Sequence, residues 1–166
     1  MATGDNLSAA FAGESQANRK YLAFAKKAEK DGFAQVAKLF RAAAEAETVH
    51  AHAHLRVMGG VKSTAENVQA AIEGEGYEFT TMYPEFVAEA QKEGNKAAVE
   101  TFDYAMQVEK IHHRLYGEAL AAVKAGKDLP GVKLFICDYC GNTVEGAAPD
   151  KCPICGNAKK GFIEIK

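Results

Sequence analysis

A chain of 166 residues holds one ordinary domain and at most a small appendage, which excludes two full-size domains. Its 48% hydrophobic and 25% charged residues are the balance of a folded protein and exclude disorder as a description of the whole. With 20 Lys and Arg against 22 Asp and Glu, net -2, there is no basic excess to neutralise a phosphate backbone, and no apolar run nears the roughly 20 residues of a membrane span, so neither nucleic acid nor membrane is an expected partner. The opening Met1-Ala-Thr-Gly-Asp lacks the basic and apolar regions of a secretory signal, so a cytoplasmic location is expected.

From Leu7 to about Gly126 the chain is dense in Ala, Glu, Lys, Leu and Phe, with Pro84 its single proline, and apolar residues recur at helical spacing. The first predicted helix, roughly 5–31, carries Gly13-Glu14 and Tyr21 and stops at Gly32. The second, roughly 33–58, carries Glu47-x-x-His50 and stops at Gly59-Gly60. The third, roughly 64–93, opens on Ser63-Thr64-Ala65-Glu66, an N-cap with its acidic first turn, and carries Gly74-Glu75, Glu78 and Tyr83. Pro84 removes a backbone donor there and crowds the preceding turn, so a distortion near the carboxylates is expected. The fourth, roughly 95–125, carries Glu109-x-x-His112. Four helices of about 25 residues on short connections predict a four-helix bundle.

After Gly126 the composition changes to Lys-Asp-Leu-Pro-Gly, a β-favouring Val132–Ile136 run and a closing Phe162–Ile165 run. All four cysteines lie here, as Cys137-x-x-Cys140 and Cys152-x-x-Cys155. In a reducing compartment that spacing predicts a tetrahedral thiolate site, and the spacing alone suits zinc and iron equally. So short a module cannot stand on a hydrophobic core, and its metal is expected to supply much of its folding free energy. The chain is therefore divided as 1–130, helical, and 131–166, a small β-rich metal domain.

The helical part contains a repeat. Phe40-x6-Glu47-x-x-His50 matches Phe102-x6-Glu109-x-x-His112 at an offset of 62, and Gly13-Glu14 matches Gly74-Glu75 at an offset of 61. Each Glu-x-x-His sets two donors at i and i+3 on one helix face, and a carboxylate from each partner helix completes the pattern of a di-iron carboxylate bundle: Glu14, Glu47, His50, Glu75, Glu109 and His112. Where the first copy has Ala17 the second has Glu78, a seventh candidate ligand. Five carboxylates carry -5 against the +4 of two ferrous or +6 of two ferric ions, so metal is needed to make them tolerable together. If Glu78 withdrew in the reduced state the balance would be even, and His50 would fill its place as a neutral ligand. Oxygen and imidazole donors suit iron or manganese without excluding zinc. His52 and His113 point away from this stripe and His54 lies one turn past His50, toward the bundle end, while Tyr21 and Tyr83 either reach the site or pack in the core.

Ala12-Gly-Glu14-Ser, Glu47-Thr-Val-His50, Gly74-Glu75-Gly-Tyr-Glu78 with Met82-Tyr-Pro84, Glu109-Lys-Ile-His112 and the two Cys-x-x-Cys-Gly knuckles together resemble the rubrerythrin family over essentially the full length. The resemblance implies a ferritin-like four-helix bundle with a non-haem di-iron centre and a C-terminal rubredoxin-like domain, three irons per chain, with zinc a possible substitute. It implies reduction of hydrogen peroxide to water in oxidative stress defence, with electrons entering through the four-cysteine iron from rubredoxin or an NAD(P)H-dependent reductase, in a homodimer or higher homo-oligomer. On these positions Glu47 and Glu109 would bridge the irons, Glu14 would end one and Glu75 with His112 the other. Glu78 and His50 would exchange, with Tyr21 and Tyr83 hydrogen-bonding nearby. The competing expectation is a ferroxidase or iron-handling protein whose four-cysteine module holds structural zinc.

Overall fold

The structure, a computed structural model, describes residues 2–166 and divides into two compact units, Met1–Lys62 and Ser63–Lys166. The expected class holds: the chain is mainly helical with a small antiparallel sheet at its C-terminal end. Among the described residues no helix is long and apolar enough to cross a membrane.

The first unit is a hairpin of α1 (Thr3–Lys30) and α2 (Ala34–Val57). Alanines line its seam: Ala25 and Ala28 on α1 and Ala37, Ala44 and Ala51 on α2 are all buried. Spaced by seven residues, the α2 alanines keep one face of the helix small, which lets the two backbones approach closely. Asn18 pins the pair by donating from Nδ2 to the Ala44 carbonyl at 2.7 Å and to Thr48 Oγ1 at 2.8 Å. The turn depends on Gly32, whose φ of 86° lies in the left-handed region. There the Phe33 N–H reaches back to the Ala28 carbonyl and the Gly32 N–H to that of Glu29, closing the helix end.

The second unit repeats the hairpin with one change. Helix α3 (Thr64–Tyr77) starts on the expected cap, where Ser63 Oγ accepts from the Glu66 N–H and the Glu66 carboxylate accepts from the Ser63 N–H. The helix expected to run unbroken to about residue 93 instead widens at Glu78–Met82 into a π turn, in which the Tyr83 N–H donates to the Glu78 carbonyl. Helix α4 (Tyr83–Lys92) follows, with Pro84 in its first turn, and the Gly94 turn leads into α5 (Lys96–Lys124). The expected distortion thus lies N-terminal to the proline, among the carboxylates.

The π turn accounts for a detail of the repeat. Before it the two copies are offset by 61 residues, Glu14 to Glu75, and after it by 62, Tyr21 to Tyr83, Phe24 to Phe86 and Ala28 to Ala90. A π turn is one residue inserted into an α-helix, so the downstream face keeps its direction. Accordingly the same aromatic trio forms twice: Tyr21, Phe24 and Phe40 in the first hairpin, Tyr83, Phe86 and Phe102 in the second, the two phenylalanines 5.6 and 5.5 Å apart between ring centres.

The C-terminal module is a three-stranded antiparallel sheet in the order β2-β1-β3, from β1 (Leu134–Cys137), β2 (Thr143–Glu145) and β3 (Phe162–Ile165). The outer two runs match the expected ones. Strand β2, Thr-Val-Glu, was too short to be expected and pairs Thr143 with Ile136. Few side chains are wholly buried in the module, chiefly Cys137, Cys152 and Asn142, so its interior is the cysteine cluster itself.

Candidate metal centres

In the first hairpin, α1 presents Glu14 and α2 presents Glu47 and His50, with donor atoms of all three within 4.8 Å of one another. His50 Nδ1 lies 2.9 Å from Glu47 Oε2. That contact, followed by one with Glu14, holds the Glu47 carboxyl below its ordinary value. In the second hairpin Glu75 of α3 meets Glu109 and His112 of α5 within the same limit. Here His112 Nδ1 is 2.8 Å from Glu109 Oε2 and 3.8 Å from Glu75 Oε2. Burial, then the charge of Glu109, pushes the Glu75 carboxyl up, and burial, then the charge of Glu75, does the same to Glu78. By donor type and by spacing both triads fit a metal.

Glu78 sits at the first residue of the π turn, where the charges of Glu75 and His112 act on it. Burial, then the charges of Glu109, Glu78 and Glu75, pushes the Tyr83 phenol up. Tyr21 packs on Phe24 and Phe40. Of the histidines set aside, His113 stacks edge-on against Phe79 at 5.4 Å, and a Cβ at Gly76 would touch its ring at 3.3 Å, so Gly76 leaves room for it.

The four cysteines converge. Cys137 Sγ is 3.7 Å from Cys155 Sγ and Cys140 Sγ is 3.6 Å from Cys152 Sγ. Disulfides would be near 2.05 Å, whereas metal–sulfur bonds of about 2.3 Å set tetrahedral neighbours about 3.8 Å apart. The knuckles are alike: Gly141 and Gly156 each donate to the carbonyl of the first cysteine, with φ of 82° and 76°. Burial raises the first cysteine of each knuckle, yet knuckle N–H groups outweigh it: those of Cys140 and Tyr139 lower Cys137, and those of Cys155 and Ile154 bring Cys152 down to about 7. Burial pushes Cys140 and Cys155 up.

Two residues here escaped the sequence reading. Asn142 Nδ2 donates to Cys152 Sγ at 3.6 Å and Asn157 Nδ2 to Cys137 Sγ at 3.7 Å, each asparagine serving the other knuckle. Their signal was present: both knuckles read Cys-x-x-Cys-Gly-Asn, 15 residues apart.

Paired Glu, Glu, His triads on repeated hairpins, followed by a four-thiolate module, define a helical carboxylate metalloprotein with a separate thiolate-metal centre. Comparison with known proteins gives its kind: residues 5–120 match the rubrerythrin family model and 135–163 that of the rubrerythrin rubredoxin-like domain. The chain belongs to the rubrerythrin family. It is 35% identical to Rubrerythrin-2 of Clostridium acetobutylicum over 96% of this chain and 95% of that one, and 35% identical to the rubrerythrin of Porphyromonas gingivalis over 99% and 90%. Among solved structures, fully reduced, all-ferrous nigerythrin is 35% identical, with a TM-score of 0.58 over 99% of this chain and 87% of that one. Membership supports iron at these centres and an oxidoreductase role of the peroxide-reducing kind.

Proposed function

We propose that this protein reduces hydrogen peroxide to water, with the two triads and Glu78 serving one di-iron centre in the helical residues 1–130 and the cysteines of 131–166 holding a third iron. The observation that carries this reading is the doubled triad, two carboxylates and one imidazole on each hairpin. Iron held there would supply the two electrons that, with two protons, convert peroxide to two waters.

The residues divide the remaining work. Glu47 and Glu109 would hold both irons, Glu14 would hold one of them, and Glu75 with His112 would hold the other. Glu78, on a widened turn, would exchange with His50 as the charge of the centre changes. Tyr21 and Tyr83 offer hydroxyl donors near the substrate. The four-cysteine site relays single electrons from rubredoxin or an NAD(P)H-dependent reductase, within a homo-oligomer located in the cytoplasm.

The test is anaerobic. The iron-loaded protein is reduced, mixed with peroxide or oxygen in separate runs, and followed by stopped flow through the visible absorbance of the thiolate-bound iron. Fast recolouring by peroxide and slow recolouring by oxygen is the expected result. No thiolate–iron colour, or equal rates, would overturn it in favour of an iron-handling protein with structural zinc.

A further inference from the structure

The second unit joins its triad to its cysteine module through one hydrogen bond: His112 Nε2 lies 2.9 Å from Thr143 Oγ1, the first residue of β2. The same hydroxyl is 3.3 Å from the Gly141 carbonyl, in the turn that closes the first knuckle. His112 is thereby held at both ring nitrogens, with Nδ1 toward Glu109 and Glu75 and Nε2 toward the module.

We propose that Thr143 is a positioning residue for the helical metal centre, its hydroxyl fixing the ring orientation and the tautomer in which His112 presents Nδ1 to metal. A neutral imidazole carries one proton. In the tautomer with that proton on Nδ1, Glu109 accepts it and the Thr143 hydroxyl can donate to Nε2. With Nδ1 given to a metal, the ring proton would sit on Nε2. Thr143 then becomes the acceptor and turns its proton to the Gly141 carbonyl, which is already within reach. Only a group that both donates and accepts serves both states from one place, and a hydroxyl does so by rotation alone. Partners on the far nitrogen of a metal-bound histidine commonly contribute 10–100-fold to metal affinity.

The inference rests on the metal-centre reading above, and the test separates the two. Zinc is titrated by calorimetry into the full chain whose four-cysteine site is already filled with zinc, and the His112 ring nitrogens are followed by 15N NMR in the zinc-loaded protein. Thr143→Val, close in shape and suited to a strand, is expected to lose on the order of 10–100-fold in affinity at the helical site. Thr143→Ser is expected to stay within about threefold of the parent, since it keeps both hydrogen bonds. The parent is expected to show a protonated Nε2 and a metal-bound Nδ1. If the parent takes no zinc at the carboxylates, the metal-centre reading fails and this inference with it. If the parent binds but Thr143→Val binds equally, if Thr143→Ser falls as far as Thr143→Val, or if Nε2 is the metal-bound nitrogen, this inference alone is overturned.

Discussion

Deleting Thr81 tests whether the π turn is an inserted residue accommodated together with Pro84. Thr81 is exposed, and its removal returns the second copy to the 61-residue offset of the first, so that α3 and α4 can join as one α-helix. The downstream face keeps its direction, because Tyr83, Phe86 and Ala90 then stand where Tyr21, Phe24 and Ala28 stand on the unbroken α1. Pro84, however, becomes an interior helical residue. It cannot donate to the Phe79 carbonyl and its ring crowds that turn, at a cost of about 3 kcal/mol. The first copy has Leu22 at this position. The deletion alone is therefore expected to lower stability by about 3 kcal/mol, and the deletion with Pro84→Leu to bring it within about 1 kcal/mol of the parent. Deleting exposed Lys20 from α1 supplies the contrast: with no π turn to absorb it, Tyr21, Phe24, Ala25 and Ala28 swing by about 100° from their partners. Two half-buried rings and two alanines make that roughly a 3 kcal/mol loss, with no proline whose replacement restores it. The assay is urea unfolding of the metal-free chain by helical circular dichroism, comparing midpoints at constant slope. Failure of Pro84→Leu to rescue the Thr81 deletion would refute the reasoning.

Other outcomes follow from single contacts. Glu78→Ala is expected to slow peroxide turnover severalfold with the helical signal unchanged, and full turnover would remove Glu78 from the exchange. Cys152→Ser should abolish reductase-linked turnover yet leave oxidation of pre-reduced helical iron intact; surviving linked turnover would mean that electrons enter elsewhere. Asn142→Ala removes a donor to Cys152 Sγ, so the thiolate-bound iron should become harder to reduce by on the order of tens of millivolts, and a voltammogram matching the parent's would count against that role. Tyr104 donates to Glu100 Oε1 at 2.8 Å, and this bond, then burial, pushes its phenol up to about 12. Because the folded chain holds that proton more tightly, the contribution of Tyr104 to stability is whole below about pH 10 and is lost as pH rises toward 12. Glu100→Gln should bring phenolate absorbance at 295 nm in at lower pH; an unchanged alkaline titration would refute the coupling.

The two triads were legible because the sequence states their pattern twice. Donors at i and i+3 must share a helix face, and recurrence of the motif 62 residues later separates it from the Glu- and His-bearing helices that any soluble protein has. The fold class followed from helical periodicity and the change of composition after Gly126. The π turn was written only as a one-residue change of offset between Glu78 and Tyr83, which reads as an ordinary irregularity until the backbone shows the Tyr83 N–H skipping to Glu78. Asn142 and Asn157 were visible as a repeated hexad, but their exchange of partners depends on how the knuckles face each other. Thr143 was not legible, since its partner lies 31 residues away on another element.

These less legible features gather on one side of the repeat. The first hairpin is the plain copy: an unbroken α1, Ala17 facing where Glu78 would be, and a histidine whose side chain is 55% exposed. The second copy has gained a carboxylate, an inserted residue that widens the helix beneath it, a proline that suits the widened turn, and a threonine behind a histidine only 28% exposed. The added carboxylate and the widened turn fall on the same residue, Glu78, while the added hydrogen bond falls on His112. A symmetric pair of triads would give two equivalent metals. This chain instead holds one imidazole at both ring nitrogens and sets one extra carboxylate on a widened turn, so the two triads are chemically unequal.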